Sequence, residues 1–86
     1  MGKYDGLRDH LRRRTAEVDM SFEEIANLVP GGLPRSAYRH PAWWSNNDRT
    51  HPQSHAWHAA GFAARPDLIG RRVRFIHVSD GPTVDP

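Results

Sequence analysis

Residues 62–78 read FAARPDLIGRRVRFIHV, and this stretch decides the fold. Phe62 to Arg65 predicts a short strand, Pro66 to Gly70 a turn, and Arg71 to Val78 a second strand. In the second strand Val73 and Phe75 fall on one face and Arg72 and Arg74 on the other, the two-residue period of a half-buried strand. The chain therefore ends in a β-hairpin. Just before it, Gly61 reads as the left-handed stop of a helix running from about 51 to 60. Thr50 and Gln53 form a capping box for that helix, with His51 and Pro52 suited to its first turn.

Working outward, Tyr4, Leu7 and Leu11 recur at helical spacing, so residues 3–15 read as a first helix. Residues 17–20 (EVDM) alternate and predict a short edge strand. Ser21 with Glu24 is a capping box, after which Phe22, Ile25, Ala26 and Val29 line one face of a second helix. Pro30-Gly31-Gly32 stops it. Pro34 opens a third helix through Ser36, Tyr38 and Arg39, which Pro41 breaks or restarts. The expected architecture is α+β: a small single domain over residues 1–78 with about four helices, a short strand and a C-terminal β-hairpin. Residues 79–86 are expected to be a flexible tail. The order is winged-helix-like, an analogy of layout that does not itself define a function.

The 86 residues are 37% apolar and 26% charged, with three Trp, three Phe and two Tyr, too aromatic for a disordered chain and too few for a large core. The absence of Cys excludes disulfides, thiolate catalysis and Cys-ligated metal sites. No run approaches the ~20 apolar residues that span a bilayer. The opening residues predict no secretory signal, so the expectation is a cytoplasmic, nucleoid-associated protein with no membrane partner. Eleven of the twelve cations are Arg, and they are unevenly placed. Residues 1–24 sum to −1, residues 25–79 to +5 and the tail to −2. A basic, Arg-built middle suits a polyanion, since guanidinium contacts phosphates and guanine edges bidentately.

Residues 33–62, LPRSAYRHPAWWSNNDRTHPQSHAWHAAGF, interleave the groups that base recognition uses. Arg35, Arg39 and Arg49 supply phosphate or guanine contacts, together with Arg72 and Arg74 of the hairpin. Asn46, Asn47, Gln53, Ser36 and Ser54 are suited to base edges, and Trp43 or Trp44 to stacking or methyl contact. Consecutive tryptophans point in different directions, so one of Trp43 and Trp44 belongs to the core and the other lies at or near the surface. Trp57 reads as core. His51, His55 and His58 share a helix face, but positions seven residues apart span ~10 Å and do not converge on one ion. His51 and His55 with Asp48 or His40 remain a paper possibility; no metal or cofactor is expected. Ser36, His40 and Asp48 lack an elbow or oxyanion motif, and Gly31-Gly32 lacks a Walker lysine.

The chain also resembles a family of small bacterial domains. The resemblance rests on Tyr4 and Leu7; Ser21, Phe22, Glu24 and Ile25; Leu33, Pro34, Ser36 and Ala37; Arg39, His40, Ala42, Trp43, Trp44 and Asn46; His51, Gln53, Ala56 and Trp57; and Ala60, Gly61 and Phe62. It covers about residues 4–78 and departs at Phe62, where the family usually has Trp. Members joined to nuclease-type domains imply nucleic-acid binding. The pattern is similar, too, to actinobacterial DNA-binding proteins that prefer 5-methylcytosine, which implies a reader surface around Trp43 or Trp44 and residues 39–47.

The expectation is a non-enzymatic module for duplex DNA, sensitive to cytosine methylation. The alternatives are an adaptor that docks a nuclease or other enzyme through an exposed Trp, and a small metal-dependent hydrolase.

Overall fold

The computed structural model describes residues 2–46 and 51–78. Four helices and a 3₁₀ turn pack on one face of a three-stranded antiparallel sheet. The chain runs α1 (Asp5–Arg12), β1 (Val18–Ser21), α2 (Phe22–Ala26), α3 (Arg35–Arg39), the 3₁₀ turn (Pro41–Trp44), α4 (Pro52–Ala59), β2 (Phe62–Asp67) and β3 (Arg72–His77). The α+β class and the hairpin match the sequence reading. The predicted tail, 79–86, lies outside the described residues.

Helix α1 is shorter than its apolar spacing suggests. Leu7 and Leu11 are buried, while Arg13 and Arg14 close the last turn with bonds to the carbonyls of His10 and Leu11 (3.3 and 2.9 Å). The capping box forms as read: Glu24 N–H donates to the Ser21 hydroxyl (3.0 Å), and Ser21 N–H to the Glu24 carboxylate (2.8 Å). Phe22, Ile25 and Val29 are buried beyond it, with Ala26 only partly covered. Gly31 and Gly32 turn the chain away at φ of 81° and 78°, a region that glycine enters freely. Pro41 restarts the chain as the 3₁₀ turn. Helix α4 takes His51 as N-cap with Pro52 at its start, and no side-chain capping bond is present there. Thr50 lies outside the described residues, and Gln53 is turned inward instead, donating to the Trp43 carbonyl (3.3 Å). Gly61 ends α4 at φ 89°.

Strand β3 is central, with β1 and β2 on its flanks. The hairpin extends two residues further than predicted. Pro66 and Asp67 pair with Val73 and Arg72, which an edge strand permits when the missing N–H points outward. Val73 and Phe75 face the helices; Arg72 and Arg74 face away. The core centres on a column of rings. Phe22 stacks on Trp44 (5.3 Å, 20°), Trp44 on Trp57 (5.6 Å, 20°), and Trp57 meets Phe75 at 5.9 Å. No helix among the described residues is long and apolar enough to cross a membrane.

One polar side chain fastens this core. The Asn46 amide oxygen accepts from the Ala64 N–H (2.7 Å) and the Trp57 indole N–H (3.1 Å), and its NH₂ donates to the Ala64 carbonyl (2.9 Å). Asn46→Ala should lower the unfolding free energy by ~2–4 kcal/mol, since three buried groups lose their partners at ~1 kcal/mol or more each. Urea denaturation measures this, and a loss below ~1 kcal/mol would mean that water replaces the amide.

Stability should also decline on the acid side in two stages. Partial burial, with Arg14 and Arg13 beside it, holds the His10 imidazole below its ordinary value against the opposing pull of Glu24. The folded protein then binds fewer protons than the unfolded chain, so this contribution is full above pH ~6.5 and falls away as the pH drops through the window below it. The Ser21 N–H, then the Ser21 hydroxyl, hold the Glu24 carboxyl low, which adds a second loss as the pH falls through the carboxylate range. Melting curves of His10→Gln should lack the first stage and keep the second.

Candidate nucleic-acid interface

Helix α3 is a single exposed turn and a half held by one buried residue. Ala37 is fully buried and its carbonyl accepts the Trp44 indole N–H (2.9 Å). That anchor turns Arg35, Ser36 and Arg39 to solvent. Arg35, Tyr38 and Arg39 share a helical face at positions i, i+3 and i+4. Tyr38 is half-buried, edge-on against Phe22 at 5.3 Å. Over its ring, at 5.6 Å, lies the Arg71 guanidinium from the β2–β3 turn. The turn is tied down beneath it, because Phe22 N–H donates to the Arg71 carbonyl (2.8 Å).

The hairpin turn thus sets Arg71 over the tyrosine of the helix that carries Arg35 and Arg39. Among the described residues none of Arg35, Arg39 and Arg71 is paired with a carboxylate. Glu23 shares with Tyr38, Gly70 and Arg71 an open hollow of ≈ 430 Å³. Beyond Arg39, the residues His40, Pro41 and Ala42 are exposed and continue the surface with two small apolar groups.

Several residues expected at base edges serve the core instead. Trp44 is buried within the ring column, and Ser54 and Gln53 are buried on the inner face of α4. Trp43 is half-buried, covered by Tyr4 (6.0 Å) and packed on Trp44 (4.7 Å). The Asn46 oxygen has both acceptor sites filled and its NH₂ donates to the Ala64 carbonyl, so the side chain is committed mainly to the fold. Arg72 and Arg74 lie on the outer sheet face, paired with Asp19 (3.0 Å) and Glu17 (2.9 Å). Their cations are compensated, although exposed pairs of this kind are worth only ~0–1 kcal/mol. Arg65, opposite Arg74, meets no carboxylate among the described residues. Asn47 and Arg49 lie outside the described residues. Of the expected set, α3 brings together Arg35, Ser36 and Arg39.

The histidines of α4 do not converge. His58 Nε2 lies 2.7 Å from the Asn46 carbonyl, which can only accept, so that nitrogen carries the proton. Among the described residues no group of three or more His, Asp or Glu could hold a metal ion.

The sequence reading did not pair Arg71 with Tyr38. Their one sequence signal was Gly70-Arg71 at the hairpin, and it gives no hint of Arg71's backbone. Arg71 has φ 53°, a left-handed conformation that a non-glycine residue adopts at a cost of ~1 kcal/mol.

A family model described as a domain of unknown function (DUF7662) matches residues 4–79, and the chain belongs to that family. No curated protein and no solved structure matches the chain.

Replacing Arg71 by Gly tests the economy of the turn. Strain relief of ~1 kcal/mol and loss of a cation–π contact of ~0.5–1 kcal/mol oppose each other. Arg71→Gly should therefore change the thermal midpoint little while removing one guanidinium from the surface. A large destabilisation would show that the Arg71–Tyr38 contact holds the hairpin on α3.

Proposed function

We propose that this protein is a non-enzymatic duplex-DNA-binding module whose contact surface is α3 and the hairpin turn. The observation that carries the reading is that α3 exposes Arg35 and Arg39, that Arg71 of the hairpin turn lies over Tyr38 of the same helix, and that none of the three meets a carboxylate among the described residues. Guanidinium groups left unpaired on a short exposed helix suit phosphates and guanine edges, and the half-buried tyrosine and the turn hold them in place. Ser36 lies between the first two as a neutral hydrogen-bonding group. Methylated cytosine is the finer form of the proposal. Its methyl group projects into the major groove, where an apolar contact detects it, and Pro41 and Ala42 are the exposed apolar groups beside Arg39. This places the methyl contact past the end of α3 rather than on Trp44.

The test is a fluorescence-anisotropy titration of one labelled duplex, unmodified and carrying 5-methylcytosine, at two salt concentrations. Binding should weaken steeply with salt. Arg39→Ala should cost ~1–3 kcal/mol if the side chain contacts a base, and Arg35→Ala should reduce the salt slope by about one phosphate contact. Ala42→Glu should abolish any preference for the methylated duplex. No binding at low salt would refute the DNA reading and leave a protein partner as the alternative. Equal binding to both duplexes would keep DNA and remove the methyl preference.

A further inference from the structure

The two edges of the sheet are finished differently. On β2 the Val78 N–H to Gly61 carbonyl bond (2.7 Å) sets the alternation, so Phe62, Ala64 and Pro66 direct their backbone groups away from β3. Asn46 fills both groups of Ala64, and Pro66 has no N–H. Along Ala64 and Pro66 that edge therefore offers no N–H to another strand.

The β1 edge is open. Val18 and Met20 direct their backbone groups to β3, and Phe22, bonded to Arg71, keeps the same parity. Asp19 therefore presents its N–H and C=O outward, and neither has a partner among the described residues. The next outward N–H, on Ser21, is taken by Glu24. Beside this edge lies an open groove of ≈ 660 Å³, with Met20 and Leu28 as apolar lining and Arg13 and Arg14 at the end of α1.

The charges of the groove have a direction. Its three carboxylates are engaged: Glu17 with Arg74, Asp19 with Arg72, and Glu24 with the Ser21 N–H. Arg13 and Arg14 pair with no carboxylate among the described residues.

We propose that the β1 edge accepts an extended acidic peptide segment as a fourth strand, its main chain bonding the Asp19 N–H and C=O and its carboxylates meeting Arg13 and Arg14. Strand alternation sets the pattern of the segment. Side chains beside Val18 and Met20 face the groove and carry the carboxylates, while those beside Asp19 are neutral. A second copy of β1 fits poorly, because two-fold antiparallel pairing about Asp19 would set Asp19 against Asp19. This inference does not rest on DNA binding, and α2 separates the groove from the hollow beside Tyr38.

The probe is a short blocked peptide alternating threonine with glutamate, compared with its lysine counterpart by NMR titration of the full chain. The glutamate peptide should bind at least about tenfold more tightly and should slow hydrogen exchange at the Asp19 amide. Asp19→Pro removes the outward N–H along with the carboxylate and should weaken binding by about tenfold, whereas Asp19→Asn, which loses the charge but keeps the N–H, should not. The pair Arg13→Glu and Arg14→Glu should reverse the preference between peptides. Equal affinity for the two peptides, no binding of the glutamate peptide at millimolar concentration, or an unprotected Asp19 amide in the complex would each overturn the proposal. The exchange measurement decides the question on the unaltered chain should Asp19→Pro fail to fold.

Discussion

The Asn46 side chain is the constraint on which the rest of the structure depends. A primary amide offers the same donor and acceptor as a peptide unit, and Asn46 uses it that way against Ala64, pairing with both of its backbone groups. Its oxygen also receives the Trp57 indole, so one residue following the 3₁₀ turn is bonded at once to the edge strand and to α4. Swapping the amide's oxygen and nitrogen would set an NH₂ against two N–H donors, so only one orientation satisfies the site. Its own backbone carbonyl takes the His58 ring. The packing of the ring column follows, because Trp57 can stack on Trp44 only while its polar edge is satisfied in a region where an unpaired N–H is costly.

That arrangement explains how so small a core buries two tryptophans. Trp44 and Trp57 are large rings with one polar atom each, and each atom has an assigned acceptor: the Ala37 carbonyl for Trp44 and Asn46 for Trp57. The first of these bonds fixes α3 from below. A helix of five residues is not stable by itself, since nucleation consumes most of the bonds it can form. Its orientation comes from Ala37 beneath and from Tyr38 between Phe22 and Arg71. The exposed arginines are therefore presented by tertiary contacts rather than by helix propensity.

Much of the fold was legible because its signals were local. The Ser21–Glu24 box, the Gly61 stop and the alternation at 72–75 each depend on a few neighbouring residues, and each has its expected geometry. The candidate site was less legible because its residues have two possible uses. Asn46, Gln53, Ser54 and Trp44 carry the same chemistry whether they meet a base or satisfy a buried backbone group, and only the path of the chain separates these uses. The Thr50–Gln53 reading shows the ambiguity within one side chain: Gln53 has the right spacing for a cap but reaches the Trp43 carbonyl. The pairing of Arg71 with Tyr38 joins positions more than thirty residues apart through a left-handed arginine, and no local pattern encodes that.

Charge arithmetic shows the same limit in a sharper form. Counted along the chain, residues 25–79 are strongly basic and the first 24 residues slightly acidic. Folding brings the two blocks together, since β1 lies beside β3 and sets Asp19 and Glu17 against Arg72 and Arg74. The hairpin arginines that look most like a phosphate-binding wing in sequence are thus the ones the fold neutralises. Their neighbour Arg71, one residue earlier and turned by its backbone, lies instead over Tyr38 of the helix that carries Arg35 and Arg39. What matters for recognition is the charge left without a partner after folding. Here that remainder lies mainly at α3 with the hairpin turn and at the end of α1, two places that the linear distribution does not distinguish.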